Sequence, residues 1–80
     1  MKEKVNENIK SYSKHEVLVV MKKSKSPLTV AFVTDDPNKW FIEKVTYLTK
    51  SGKVNDRSTI IAKDLSQFVE FYENDGYSKI

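Results

Sequence analysis

The sequence predicts one small α+β domain over residues 16–80, a four-stranded antiparallel meander followed by a C-terminal helix (β-β-β-β-α). Four short segments rich in β-branched and aromatic residues alternate with polar connections that contain proline, glycine or several lysines, which is typical of strands and turns. The last segment repeats its apolar residues at helical spacing. Eighty residues without cysteine suffice for a single domain with a small core.

The helix is predicted within residues 64–76, where the apolar residues form one stripe at i, i+3, i+4 and i+7: Leu65, Phe68, Val69 and Tyr72. Asp64 is expected to cap the first turn, and Gln67 three residues later completes a capping-box pattern. Gly76 can adopt a left-handed conformation beyond the end of the helix. Because so short a helix is marginal in water, the strands before it are expected to cover its stripe.

The chain begins with a basic arm, residues 1–15, which is predicted to be partly ordered. This arm is either a short docked helix or a frayed segment, because three of its apolar residues have helical spacing: Val5, Ile9 and Tyr12. The first strand is predicted at Glu16–Met21, which is apolar on both faces, and the second at Leu28–Val33. The two are close in sequence, which favours a hairpin.

The third element is ambiguous in sequence. Thr34–Lys39 has the composition of a type I turn or of a helix start, and the second interpretation gives β-β-α-β-α. Trp40–Thr49 is dense in aromatic and β-branched residues, which lose side-chain freedom in a helix but fit a pleated sheet. We therefore predict a third strand there, followed by a turn at Lys50–Lys53 and a fourth strand at Arg57–Ala62.

Charge is distributed unevenly along the chain. Thirteen of the fourteen Lys and Arg residues precede Asp64, whereas four of the eleven acidic residues lie in the final seventeen positions. The strands are thus basic and the helix presents an acidic back to water. A basic body favours a polyanionic partner, although a Lys-rich surface also serves solubility alone.

Several classes of function find no support in the sequence. No apolar run reaches the roughly 20 residues that a membrane span needs, and the Lys-rich start lacks the apolar region of a secretory signal, so a cytoplasmic protein is expected. With no cysteine and one histidine, no metal or cofactor is predicted. Nothing places a nucleophile, a base and a stabilising group together, so a non-catalytic protein is predicted.

Three stretches carry a resemblance to a known family: the aromatic and basic Lys39–Lys44, the loop Lys50–Lys53, and Thr59–Phe68, which leads from a strand into the helix. Over about residues 16–75 the chain resembles the transcriptional positive-cofactor family of single-stranded-DNA-binding proteins and its small bacterial and phage relatives. It departs from that pattern at Ser58, where the family has a glycine, and at Lys63, where it has a large apolar residue. The resemblance implies a dimeric curved sheet that holds single-stranded nucleic acid.

The residues themselves also fit binding of single-stranded DNA or RNA, which requires cations for the phosphates and aromatic faces for the bases. Strand alternation predicts that Trp40 and Lys44 form a binding face while Phe41 and Val45 face the core; the alternative is that Trp40 is itself a core residue. The predicted nucleic-acid contacts are Lys22, Lys23, Lys25, Lys39, Trp40, Lys44, Lys50, Lys53 and Arg57.

The helix also carries more aromatic surface than one small sheet needs. Phe71 lies off the centre of the apolar stripe, so we predict a twofold homodimer with Phe71 and Tyr72 in the interface. The alternative is that the N-terminal arm covers Phe71. A role in transcription, replication or phage biology would suit such a binder. The competing hypothesis is a small interaction module or phage-type inhibitor that docks on a host protein through the acidic helix back or a sheet edge.

Overall fold

The computed structural model describes residues 16–80. The predicted order is confirmed, with the following elements: β1 (Glu16–Lys22), β2 (Leu28–Thr34), β3 (Phe41–Leu48), β4 (Val54–Ile61), helix α1 (Leu65–Asn74) and a short β5 (Ser78–Lys79). All strand pairs are antiparallel, and the sheet order is β4-β3-β2-β1-β5. The interpretations of the N-terminal arm, including its cover over Phe71, lie outside the described residues.

The ambiguous third element is a strand and not a helix. Phe41–Leu48 pairs along its length with β2 on one side and with β4 on the other. Its aromatic and β-branched residues therefore occupy the pleated environment that suits them. The β-β-α-β-α alternative is excluded for this part of the chain.

Residues on both faces of the sheet are buried. Helix α1 packs on one face, where Met21, Val30, Phe32 and Ile42 form a cluster with Val69 of the helix. The opposite face buries a second cluster, Ala31, Val33, Val45 and Tyr47. Strand β4 is exposed from Val54 to Thr59, because it lies at the edge of the sheet. The strand interiors thus provide the buried part of the molecule, and the ends of β3 and β4 reach the surface.

The end of α1 is fixed by a Schellman motif centred on Gly76. The N–H of Tyr77 donates to the carbonyl of Tyr72 at 2.9 Å, and the N–H of Gly76 donates to that of Glu73 at 3.0 Å. Gly76 has φ +100°, as the sequence predicted, and the Tyr72 and Tyr77 rings pack edge to face at 5.3 Å. This turn directs the chain back along β1, where β5 pairs with Met21 and Lys22.

The predicted capping box at the start of the helix does not form. Asp64 has φ −92° and ψ 0°, and its side chain makes no capping hydrogen bond. A 3₁₀ turn, Ala62–Asp64, connects β4 to α1, so Asp64 is already in a helical conformation rather than the extended one that aims a capping side chain at the first turn. Within residues 16–80, no helix is both long and apolar enough to traverse a bilayer.

Candidate functional site

The loop between β2 and β3 is organised by one carboxylate, that of Asp36. Its Oδ1 accepts a hydrogen bond from the N–H of Asn38 at 2.9 Å, and its Oδ2 accepts from the N–H groups of Trp40 and Phe41 at 2.9 and 3.2 Å. These backbone donors, chiefly that of Asn38 and then that of Trp40, lower the pKa of Asp36 because they stabilise the ionised form. The carboxylate therefore fixes the backbone on both sides of Lys39.

Further hydrogen bonds hold the same loop. The Thr34 hydroxyl donates to the carbonyl of Phe41 at 2.6 Å and accepts from the N–H of Asp36 at 3.1 Å. The N–H of Lys39 donates to the carbonyl of Asp36 at 2.9 Å, which closes a turn through Pro37. Lys39 has φ +57°, a conformation uncommon for residues other than glycine. Such strain persists where the surroundings determine the conformation and is concentrated at functional sites.

This loop presents an apolar surface, which we call the aromatic patch: Trp40, Phe41 and Ile61. The exposed fractions are 65% for Trp40, 56% for Phe41 and 48% for Ile61. Phe41 pairs with Ile61 across β3 and β4, and the N–H of Ala62 donates to the carbonyl of Trp40 at 2.8 Å. The patch borders an open groove of about 490 Å³, which is also lined by Asn38, Lys39, Ala62 and Lys63. Exposed aromatic surface of this kind often marks a binding site.

Two lysines flank the aromatic patch. Lys39 Nζ lies 3.0 Å from Glu16 Oε1, and both side chains are about half exposed, so the pair contributes only about 0–1 kcal/mol. An anionic ligand can displace Glu16 at little cost. Lys63 is exposed and lines the same groove. The site therefore combines aromatic faces with two ammonium groups.

The predicted pairing of Trp40 with Lys44 is wrong. Trp40 lies in the loop before β3, whereas Lys44 faces helix α1, where its Nζ donates to the Tyr72 hydroxyl at 3.1 Å. The two side chains line different grooves. Phe41 is exposed rather than part of the core, because it stands at the first position of the strand, beyond the cluster that buries Val45. Val45 is buried as predicted, and the alternative of a buried Trp40 is excluded.

The remaining predicted contacts do not line the groove beside Trp40. Five of them lie around the connections at the far ends of the strands, a region that we call the basic end: Lys22, Lys23, Lys25, Lys50 and Lys53. The N–H of Thr49 donates to the carbonyl of Pro27 at 2.8 Å, so these two connections are adjacent. Lys23 is partly engaged, since its Nζ lies 3.7 Å from Asp75 Oδ2. Arg57 lies in the middle of β4, opposite Val45.

The predicted dimer residues differ in their surroundings. Tyr72 is half buried and packs edge to face on Phe32, with ring centroids 6.3 Å apart, as well as on Tyr77. Phe71 is 65% exposed. Tyr72 therefore belongs largely to the chain's own core, and Phe71 is the exposed member of the pair. The homodimer stays a prediction.

Sequence reasoning missed three contributors to the site. Asp36 fits the sequence as a turn residue or a helix cap, and neither interpretation identifies it as the organiser of the loop. An Asp side chain commonly accepts a hydrogen bond from the N–H two residues later, as seen here. Ile61 and Lys63 follow from the register of the β3–β4 hairpin, which brings Ile61 opposite Phe41. That register depends on a bulge at Thr46 and Tyr47, which the sequence does not reveal.

Within residues 16–80, no group of three or more His, Cys, Asp or Glu side chains is placed to hold a metal ion. Comparison with family models, curated proteins and solved structures finds no match to this chain. The resemblance to the positive-cofactor family is therefore still a hypothesis, and the function must be inferred from the geometry of the site.

Proposed function

We propose that this protein is a non-catalytic binder of single-stranded nucleic acid and that the aromatic patch is its principal contact. The observation that carries the proposal is the 65% exposure of Trp40 on a loop that Asp36 holds in one conformation. A large apolar ring kept in water by a well-ordered backbone is suited to a ligand with a flat apolar face. Nucleobases are such ligands, and each stacked base contributes about 1–3 kcal/mol.

The lysines supply the second element of recognition. Lys39 and Lys63 line the same groove as Trp40, so both can supply an ammonium to the phosphodiester backbone beside a stacked base. Single strands are favoured over duplex, because only unpaired bases expose their faces for stacking. The described residues that line the groove do not distinguish deoxyribose from ribose, so the proposal includes both DNA and RNA.

A second candidate function is docking on another protein. Strand β4 is an edge strand that is exposed over Val54–Thr59, and its C-terminal end reaches the aromatic patch at Ile61. An extended peptide could pair with this edge and place an apolar side chain against Trp40. Binding of that kind would depend on backbone hydrogen bonds and would respond weakly to salt.

A pair of matched variants tests the first proposal. Trp40→Ala and Phe71→Ala each remove one aromatic ring that is 65% exposed, but only Trp40 belongs to the patch. Binding of labelled poly-dT and poly-U is measured by fluorescence anisotropy. Trp40→Ala should weaken binding about 5- to 150-fold, the equivalent of one lost stacking contact, and Phe71→Ala should change it little. Equal effects of the two variants, or no binding by the wild type, would contradict the proposal.

A further inference from the structure

A second groove lies on the helix side of the sheet, where α1 stops covering the strands. Across the sheet, buried Phe32 of β2 pairs with half-buried Lys44 of β3, which pairs with exposed Ser58 of β4. The opening beside Lys44 has a volume of about 280 Å³ and is lined by Lys44, Gln67, Phe68, Phe71 and Tyr72. We call it the helix groove.

Among residues 16–80, the ammonium in the helix groove has no acidic partner. Lys44 Nζ donates to the neutral Tyr72 hydroxyl at 3.1 Å and lies 5.9 and 5.6 Å from the ring centroids of Phe68 and Tyr72. None of the ion pairs formed within residues 16–80 includes Lys44. This half-buried ammonium contacts one hydroxyl and two aromatic faces. Its charge is therefore balanced by solvent or by a bound anion.

The walls of the helix groove define the rest of the ligand. Phe71 is 65% exposed and meets Tyr72 edge to face at 5.4 Å, so two ring surfaces line the groove that holds the ammonium. The Gln67 amide also lines the groove and can supply a further hydrogen-bond donor. A volume of about 280 Å³ suits a small organic molecule rather than a folded partner.

We propose that the helix groove binds a small apolar carboxylate, with its carboxylate on Lys44 Nζ and its apolar body against Phe71 and Tyr72. The site is independent of the aromatic patch and of the proposed nucleic-acid binding. A packing role for Lys44 alone, with its aliphatic stem on Phe68, would account for the position but would give no preference for an anion.

Phenylacetate and 2-phenylethanol are the probes, because they share a ring and differ in the charged group. Each is titrated into isotope-labelled protein, and amide shifts are followed by NMR. Phenylacetate should shift the amides of Lys44 and of Gln67–Tyr72 with a dissociation constant on the order of 1 mM. The alcohol should bind about tenfold more weakly, since hydrogen bonds to charged groups are about twice as strong as neutral ones.

Variants separate charge from shape. Lys44→Met keeps an unbranched apolar stem and should abolish the preference for the acid, whereas Lys50→Met at the basic end should leave it intact. Phe71→Ala, at a position that is 65% exposed, should weaken both probes. Equal binding of the two probes, or shifts confined to other residues, would overturn the proposal. So would a dimer that dissociates in Phe71→Ala, or shifts of these amides by poly-dT instead, since either result gives the groove a different occupant.

Discussion

The Asp36 carboxylate determines the position of the aromatic patch more than any other side chain. It accepts hydrogen bonds from the N–H groups of Asn38, Trp40 and Phe41. These bonds lower the pKa of Asp36, and the largest contributions come from the N–H of Asn38 and then from that of Trp40. A depressed pKa means that the carboxylate stabilises the loop above the ordinary Asp pKa of about 3.9 and loses this effect as pH falls through the lower folded value.

Asp36→Ala should therefore release the loop and weaken nucleic-acid binding several-fold without unfolding the sheet. In the wild type, Trp40 fluorescence should change as pH falls below about 4, because protonated Asp36 no longer holds the Trp40 N–H. The variant should lack this transition, and far-ultraviolet circular dichroism provides the control for intact strands. An identical acid profile in both proteins would mean that Asp36 does not organise the loop.

The buried hydroxyl of Tyr47 lowers the stability of the fold. Its ring is buried in the cluster opposite the helix, and its hydroxyl oxygen has no hydrogen-bond partner among the described residues. Burial raises the pKa of Tyr47 to about 12. The folded state thus favours the protonated form of Tyr47. The resulting contribution to the free energy of unfolding is fully present below the ordinary Tyr pKa near 10 and is lost as pH rises toward about 12.

Tyr47→Phe should raise the free energy of unfolding by about 1 kcal/mol at neutral pH, because it removes a buried, unsatisfied hydroxyl. The variant should also lose less stability than the wild type between neutral pH and about pH 11, where only the unfolded chain ionises this residue. Urea unfolding at the two pH values measures both effects. A less stable variant would indicate that the hydroxyl has a partner.

At the level of elements, composition predicted the meander because each strand is dense in residues that suit a sheet. Phe41–Leu48 is the informative case. The residues before it, 34–39, fit either a turn or a helix start, and only the sum of the aromatic and β-branched residues in the segment favours a strand. The sequence could not predict β5, because two residues, Ser78 and Lys79, carry no periodicity. Their pairing depends on the Schellman turn at Gly76, a three-dimensional feature.

The candidate site was less predictable than the fold. The sequence named Trp40 as a candidate binding residue but left a core position open, and the structure places its ring at the surface. It also assigned Lys44 to the same face by beginning the strand one residue too early. The alternation of side chains along a strand predicts which residues share a face, but it does not predict which face the helix covers. Lys44 therefore faces Tyr72 rather than solvent beside Trp40, and Lys39 and Lys63 take the flanking role.

Gly76 tests the coupling between the helix end and β5. Its φ of +100° disfavours any residue with a Cβ, and an added Cβ would lie 3.3 Å from Lys23 Cε. Gly76→Ala should lower the free energy of unfolding by about 1–2 kcal/mol. Glu73→Ala, an exposed helix position one turn earlier, should stay within about 0.5 kcal/mol of the wild type. Equal urea midpoints for the two variants would show that the turn tolerates a side chain.

For the molecule as a whole, we expect two groups of lysines to contribute differently to the salt dependence of nucleic-acid binding. Lys39 and Lys63 flank the aromatic patch, whereas Lys25 and Lys50 line a separate groove at the basic end. The double variant Lys39→Ala/Lys63→Ala should reduce the slope of log binding constant against log salt by about 1.4, since each single-strand phosphate contact contributes about 0.7. Lys25→Ala/Lys50→Ala has the same charge change and should alter the slope less. A larger effect from the second pair would place the phosphate path at the basic end.

The most direct test uses the fluorescence of Trp40, the single tryptophan of the chain. Poly-dT and poly-U are titrated into the wild-type protein at about 50 and 200 mM salt. Saturable quenching at the lower salt concentration, greatly weakened at the higher one, is the result predicted for bases stacked on an indole beside lysines. Unchanged fluorescence with both polymers at both salt concentrations would contradict binding of single strands at the aromatic patch.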